Sequence, residues 1–85
     1  MNSKQFVSKF PKYKWHNGLL AVLDFIDLLK NKKTNEYVFC LVQVAAELNI
    51  KVPTFKNYLR RLEKLNIIIW KRYVGQKGDS TVQML

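Results

Sequence analysis

Cysteine and histidine each occur once in the 85 residues, as Cys40 and His16. A single cysteine excludes an internal disulfide and any metal site built from several cysteines. No paired carboxylates are evident, and the glycines on either side of Lys77 lack the longer spacing and the following helix of a phosphate-binding loop. We therefore expect a protein that is not an enzyme and holds no cofactor or metal. In it, His16 begins a helix and Cys40 is a small buried hydrophobic residue.

Long apolar runs are also missing from the sequence. No stretch approaches the roughly 18 apolar residues of a membrane-spanning helix. The first fifteen residues place lysines between aromatic residues, which does not resemble a secretory signal. We expect a cytoplasmic protein with no membrane partner.

Acidic residues are scarce, since six Asp and Glu face fifteen Lys and Arg, for a formal net charge of +9. Four of the lysines lie in residues 1–15, which contain no acid, whereas residues 16–48 have a net charge of about −1. Residues 49–85 carry eight basic side chains and two acids. An excess of this size favours a polyanionic partner or an anionic membrane surface.

The lysine and aromatic segment 1–15 is interpreted as a basic N-terminal arm or a short helix, ahead of one domain over residues 16–85. Pro11 interrupts any continuous helix there. The arm either follows a nucleic-acid backbone, or packs its aromatic side chains on the domain while its lysines stay in solvent. We favour packing. The aromatic residues of the arm are Phe6, Phe10, Tyr13 and Trp15.

Apolar residues recur at helical spacing from about Gly18 to Asn31 and predict a first helix. Ala21, Phe25 and Leu28 widen its apolar surface beyond one core-facing side, so we expect either the arm or the second subunit of a homodimer to cover them. A polar loop over residues 31–35 and a short strand over residues 36–39 follow. Apolar residues at helical spacing over residues 41–48 then predict a short helix.

A third periodic segment begins at Pro53, a residue tolerated in the first turn of a helix, and ends near Leu65. Its apolar residues occupy one arc of about 120° on a helical wheel. The opposite side is basic, and Glu63 is the only acid in the segment. The apolar residues are Phe55, Tyr58, Leu59, Leu62 and Leu65.

Two short helices separated by a four-residue break resemble the helix-turn-helix. Ala45 is the small residue that lets the two helices approach. The family usually has glycine in the turn, where the backbone is left-handed, and this sequence has Asn49, the next most tolerant residue. About eighteen residues match, with Val44, Leu48, Ile50, Phe55 and Tyr58 at the apolar positions of the pattern.

After the helix 53–65, residues 67–73 predict a strand, residues 74–80 a loop and residues 81–85 a returning strand. A hairpin directly behind a helix-turn-helix resembles the winged-helix family, over about residues 17–85. The resemblance implies an α+β fold with a three-helix core, a small antiparallel sheet and a C-terminal hairpin that forms the wing.

The resemblance further implies that double-stranded DNA is the partner, with the helix 53–65 in the major groove. Bases would be contacted by Lys56, Asn57 and Arg60, where an asparagine can pair with adenine. Lys51 and Thr54 would donate to phosphates, while Arg61 and Lys64 would fix the position of the helix. In the wing, the flanking backbone would be held by Lys71, Arg72 and Lys77.

The function expected first is that of a sequence-specific transcriptional regulator. A role in plasmid or viral replication or partition fits the same residues equally well. Winged helices also serve as protein-interaction adaptors, here through the broad first helix and the arm, toward a larger protein partner. A further alternative is single-stranded DNA or RNA binding by the arm.

Overall fold

The computed structural model describes residues 2–11, 16–72 and 79–85, and only the backbone of Arg72 and Asp79. Within this part of the chain it is an α+β structure with four helices and one three-stranded antiparallel sheet. In chain order the elements are α1 (Ser3–Lys9), α2 (Asn17–Leu29), β1 (Glu36–Cys40), α3 (Leu41–Glu47), α4 (Val52–Lys64), β2 (Ile68–Arg72) and β3 (Asp79–Met84).

The predicted elements from α2 to β2 are confirmed in type and, within two residues, in extent. The returning strand also lies within two residues of its predicted extent, but it begins at Asp79 and not at residue 81. Ser80, predicted in a loop, pairs with both neighbouring strands and is only 5% exposed. The predicted wing loop at residues 74–78, with Tyr73 before it, lies outside the described residues.

The sheet has the order β1-β3-β2, with β3 in the centre. Side chains alternate between its two faces. Val82 is opposite Tyr37 on one side and Trp70 on the other, and this row faces the helices. The other face carries Val38 and Ile69, which are exposed, together with Lys71.

Helix α1 lies within the segment predicted as an arm, and it packs on α2. Phe6 is fully buried in the core, and the Ser3 amide donates a hydrogen bond of 2.7 Å to Asp24 Oδ1 on α2. Lys4 and Lys9 are exposed. A fourth helix therefore joins the predicted three-helix core, because Phe6 gains more from burial than it would as a stacking platform in solvent. Residues 12–15, with Tyr13 and Trp15, lie outside the described part.

Among the extra apolar side chains of α2, Phe25 contacts a neighbour that was not predicted. Phe25 packs edge-on against Tyr37 of β1, with ring centroids 5.9 Å apart, so neither the arm nor a second subunit is needed to cover it. Tyr37 in turn stacks on Phe39, whose ring lies 5.8 Å from that of Phe55 on α4. Leu28 remains 81% exposed.

Cys40, predicted as buried, is half-exposed. It lies on the outer face of the sheet because Phe39, its neighbour in β1, faces the core. His16 is the residue immediately before α2, as predicted.

Two helices end in the same way, with an asparagine in the left-handed region. Asn49 follows α3 with φ 55°, as the turn of the helix-turn-helix pattern requires, and Asn66 follows α4 with φ 60°. In both cases the backbone N–H of the asparagine donates a hydrogen bond to the carbonyl three residues before the asparagine. The N–H of the isoleucine that follows donates to the carbonyl five residues before the isoleucine. This is a Schellman motif, with an isoleucine as the hydrophobic residue that follows the left-handed position. The signal in the sequence is the tripeptide Leu-Asn-Ile, present at 48–50 and at 65–67.

We expect Asn49→Ala to lower the free energy of unfolding by about 1 kcal/mol, because a Cβ-bearing residue without the local hydrogen bonding of asparagine disfavours positive φ. Asn49→Gly should preserve or slightly raise stability. Urea denaturation measures both. Asn17→Ala is the control, since Asn17 is exposed and lies in α2. Equal stabilities of the alanine and glycine variants at position 49 would contradict the prediction.

The contact between α2 and α4 depends on a glycine. A Cβ atom at Gly18 would lie 2.7 Å from Tyr58 Oη and 3.0 Å from Tyr58 Cε2. Such distances are too short, so the ring would have to move. Gly18 therefore lets the tyrosine of α4 lie directly against the first turn of α2.

We expect Gly18→Ala to lower the free energy of unfolding by about 1 kcal/mol, because the displaced ring costs more than the helix propensity of alanine gains. In a Tyr58→Leu background the same substitution should be stabilising, since no ring opposes the new methyl group. A double-mutant cycle by urea denaturation tests this. The same sign in both backgrounds would exclude the contact as the cause.

Candidate nucleic-acid interface

Helix α4 is held by one buried side. Phe55, Leu59 and Leu62 are all at most 1% exposed and pack into the core. Ala45 of α3 is equally buried, as expected for the small residue of the helix-turn-helix pattern. The burial of this side determines which residues of α4 face outward.

The outward side of α4 carries a set of polar residues that we call the α4 basic face. Asn57, Arg60, Arg61 and Lys64 are exposed, and Lys56 is half-buried. Lys56, Arg60 and Lys64 follow one another at intervals of four residues, so they lie along one line of the helix surface. The structure therefore brings together five of the ten residues that the sequence predicted for DNA binding: Lys56, Asn57, Arg60, Arg61 and Lys64.

The single acid of α4 is directed away from this face. Glu63 Oε2 accepts a hydrogen bond of 3.0 Å from the backbone amide of Trp70 in β2. The carboxylate thus stabilises the start of the strand that follows the helix. In the sequence Glu63 is only an exception to the basic pattern, because its partner Trp70 depends on how β2 folds back on α4.

Three cations of α4 lack an acidic partner in the described part of the chain. No carboxylate there forms an ion pair with Lys56, Arg60 or Lys64. The two acids of α2 have other partners: Asp24 accepts from Ser3, and Asp27 lies 2.9 Å from Lys30 Nζ. The hydrogen bond from Lys30 holds the pKa of Asp27 below its usual value.

Arg60 has one neutral partner. Its Nη1 donates a hydrogen bond of 3.1 Å to Asn57 Oδ1, one turn earlier on the same exposed side. The guanidinium keeps its full charge, because the amide oxygen is an acceptor without a charge of its own. The spacing of three residues was a signal available in the sequence.

Lys51 and Thr54 lie at the N-terminal end of α4. Lys51 is the N-cap residue and is exposed, while Thr54 is half-buried in the first turn. The first turn contains no acidic residue, so the positive end of the helix dipole is not neutralised within α4. The helix begins at Val52, one residue before the predicted start at Pro53.

The predicted wing residues are placed differently from those of α4. Lys71 lies on the outer face of the sheet, opposite to the face that packs on α4, and its Nζ is 3.8 Å from Glu36 Oε1. The structure therefore does not bring Lys71 onto the α4 basic face. The side chain of Arg72 and the whole of Lys77 lie outside the described residues.

Residues 2–11, 16–72 and 79–85 contain no group of three His, Cys, Asp or Glu side chains that could hold a metal ion. This part of the chain also contains no helix with the length and apolarity needed to cross a membrane. Comparison with models of known families, with curated proteins and with solved structures gave no match for the chain.

Proposed function

We propose that this chain is a winged helix-turn-helix protein that binds double-stranded DNA with α4 in the major groove. The observation that carries the proposal is the α4 basic face, from which the only acid of the helix is turned away by its bond to Trp70. Binding, and not catalysis, is the role that such a surface supports.

The order of the elements supports the winged-helix assignment. A short helix, a four-residue link and a longer helix are followed directly by two antiparallel strands, and a short strand before α3 completes the sheet. The left-handed residue of the link is Asn49, at the position where the helix-turn-helix pattern has glycine.

The dimensions of α4 suit the major groove of B-form DNA. A groove about 12 Å wide admits an α-helix. Thirteen residues of helix span about 20 Å, enough to pass along several base pairs. Lys56, Asn57 and Arg60 would meet base edges, and Arg61 and Lys64 would contact phosphates.

Other polyanionic surfaces fit α4 less well. A helix that lies on an anionic membrane inserts its apolar side into the lipid, but the apolar side of α4 is buried in the core. The major groove of A-form RNA is too narrow and deep for side chains to read. The single-stranded alternative loses one stacking residue of the arm, because Phe6 is fully buried.

We propose that the chain acts in the cytoplasm as a sequence-specific transcriptional regulator. A base-reading helix is useful wherever one DNA site must be recognised among many. Plasmid or viral replication and partition make the same demand, and selection of bound sequences from random duplexes would identify the sites that distinguish these roles.

A second candidate function is protein interaction through α2, either with another copy of the chain or with a larger partner. It is favoured by Leu28, which is 81% exposed, with the exposed Ala21 two turns earlier on the same side. A homodimer would present two copies of α4 to a site with near-symmetric halves.

We expect duplex binding to weaken with salt by a slope of roughly −0.9 in log K against log [salt] for each phosphate contact. Lys64→Ala should make the slope less negative by about 0.9, because one contact is lost. Fluorescence anisotropy with a labelled duplex, between about 50 and 200 mM salt, measures this. Tight binding that is insensitive to salt would contradict the proposal.

The double variant Lys56→Ala/Arg60→Ala should lose about tenfold or more in duplex affinity, since these residues are proposed to contact bases. Lys32→Ala/Lys33→Ala is the matched control: it removes the same charge from an exposed turn outside α4. Circular dichroism and thermal unfolding would verify that both variants fold. An unchanged affinity of the first variant would support the protein-interaction function instead, and equal losses in both would indicate binding by net charge alone.

A further inference from the structure

We propose that Asn57 positions Arg60 to read guanine and does not itself read adenine. This inference rests on the proposed binding of α4 to the major groove. It goes further because it assigns different roles to two residues of the α4 basic face and specifies a base pair that the site must contain.

The hydrogen bond between the two side chains carries the inference. Arg60 Nη1 donates to Asn57 Oδ1 at 3.1 Å. Because a guanidinium has only donors, the amide of Asn57 must present its oxygen to Arg60. The amide –NH₂ group of Asn57 is therefore the part that remains available to another molecule.

Adenine matches Asn57 poorly in this orientation. The bidentate pairing of asparagine with adenine requires the amide oxygen to accept from N6 and the amide nitrogen to donate to N7. In this structure one of the two lone pairs of that oxygen already accepts from Arg60, so adenine N6 would have to share the oxygen with the guanidinium. The pair as a whole offers mainly donors: four further N–H groups of Arg60 and the –NH₂ group of Asn57.

Guanine is the base that matches such a surface. Its major-groove edge presents two acceptors, O6 and N7, which a guanidinium contacts with two parallel hydrogen bonds. Adenine presents one acceptor and one donor, so its N6 group would face a donor of Arg60. The discrimination therefore depends on holding the guanidinium in one orientation.

A neutral acceptor suits this positioning role. Lys56 and Lys64 lie one turn before and one turn after Arg60, and repulsion between the three cations does not by itself select one rotamer of Arg60. A carboxylate at position 57 would hold the guanidinium but would repel phosphates. The asparagine amide orients Arg60 and leaves the positive charge of the face intact.

The test is selection of bound sequences from random duplexes, followed by affinity measurements on duplexes that differ at the selected guanine. We expect the wild type to prefer guanine over adenine at one position by about tenfold or more. Arg60→Ala should abolish this ratio. Asn57→Ala should reduce the ratio by about threefold, the effect of one lost hydrogen bond.

Asn57→Asp is the conservative variant, because it keeps an oxygen that accepts from Arg60. It should retain the guanine ratio while total affinity falls, which a merely structural role of Asn57 would not produce. Thermal unfolding would show that all three variants fold. The inference is overturned if Asn57→Ala leaves the guanine ratio unchanged and removes a preference for adenine.

Failure of this inference is distinguishable from failure of the proposed function. If duplex binding depends on salt but shows no preference for guanine that Arg60→Ala abolishes, the inference is overturned and DNA binding stays in place. The absence of salt-dependent duplex binding by the wild type would overturn the proposed function, and this inference with it.

Discussion

Burial of one side of α4 is the interaction on which the rest of the structure depends. Phe55, Leu59 and Leu62 are buried among residues of the other helices and the sheet, so rotating the helix about its axis would expose them to water. Full burial of each such side chain contributes on the order of 2 kcal/mol. The cost of rotation is therefore larger than any gain available to the polar side, and the α4 basic face is held outward by the core and not by its own contacts.

The ends of α4 are set by backbone geometry. Asn49 before the helix and Asn66 after it both adopt positive φ, and each closes the preceding helix with two backbone hydrogen bonds. The chain therefore turns sharply at each point, which directs α4 away from α3 and returns β2 against α4. The amide of Trp70 then lies within reach of Glu63, and the bond between them turns the acid away from the basic face. Local backbone conformation and surface charge are linked in this way.

The sequence predicted those features that depend on periodicity or on one residue, and failed where partners are distant in the chain. The 3.6-residue repeat located α2, α3 and α4. The left-handed turn at Asn49 was expected from the resemblance to the helix-turn-helix pattern, in which glycine usually stands at that position. The partner of Glu63 and the burial of Ser80 were missed, since both depend on the pairing of strands with the rest of the fold. Phe25 was expected to be covered by the arm or by a second subunit, because the position of β1 against α2 cannot be derived from spacing.

The charge arrangement on α4 is unfavourable for an isolated protein. Lys56 and Arg60, and again Arg60 and Lys64, are like charges four residues apart, and each such pair destabilises a helix by about 0.2 to 0.5 kcal/mol. Glutamate at position 60 would convert both repulsions into attractions. Instead, the helix places its one acid against the backbone of β2 and gives Arg60 a neutral partner. The charges of Lys56, Arg60 and Lys64 thus lower helix stability and have no carboxylate partner among the described residues, which supports our proposal that a polyanion supplies negative charge when it binds.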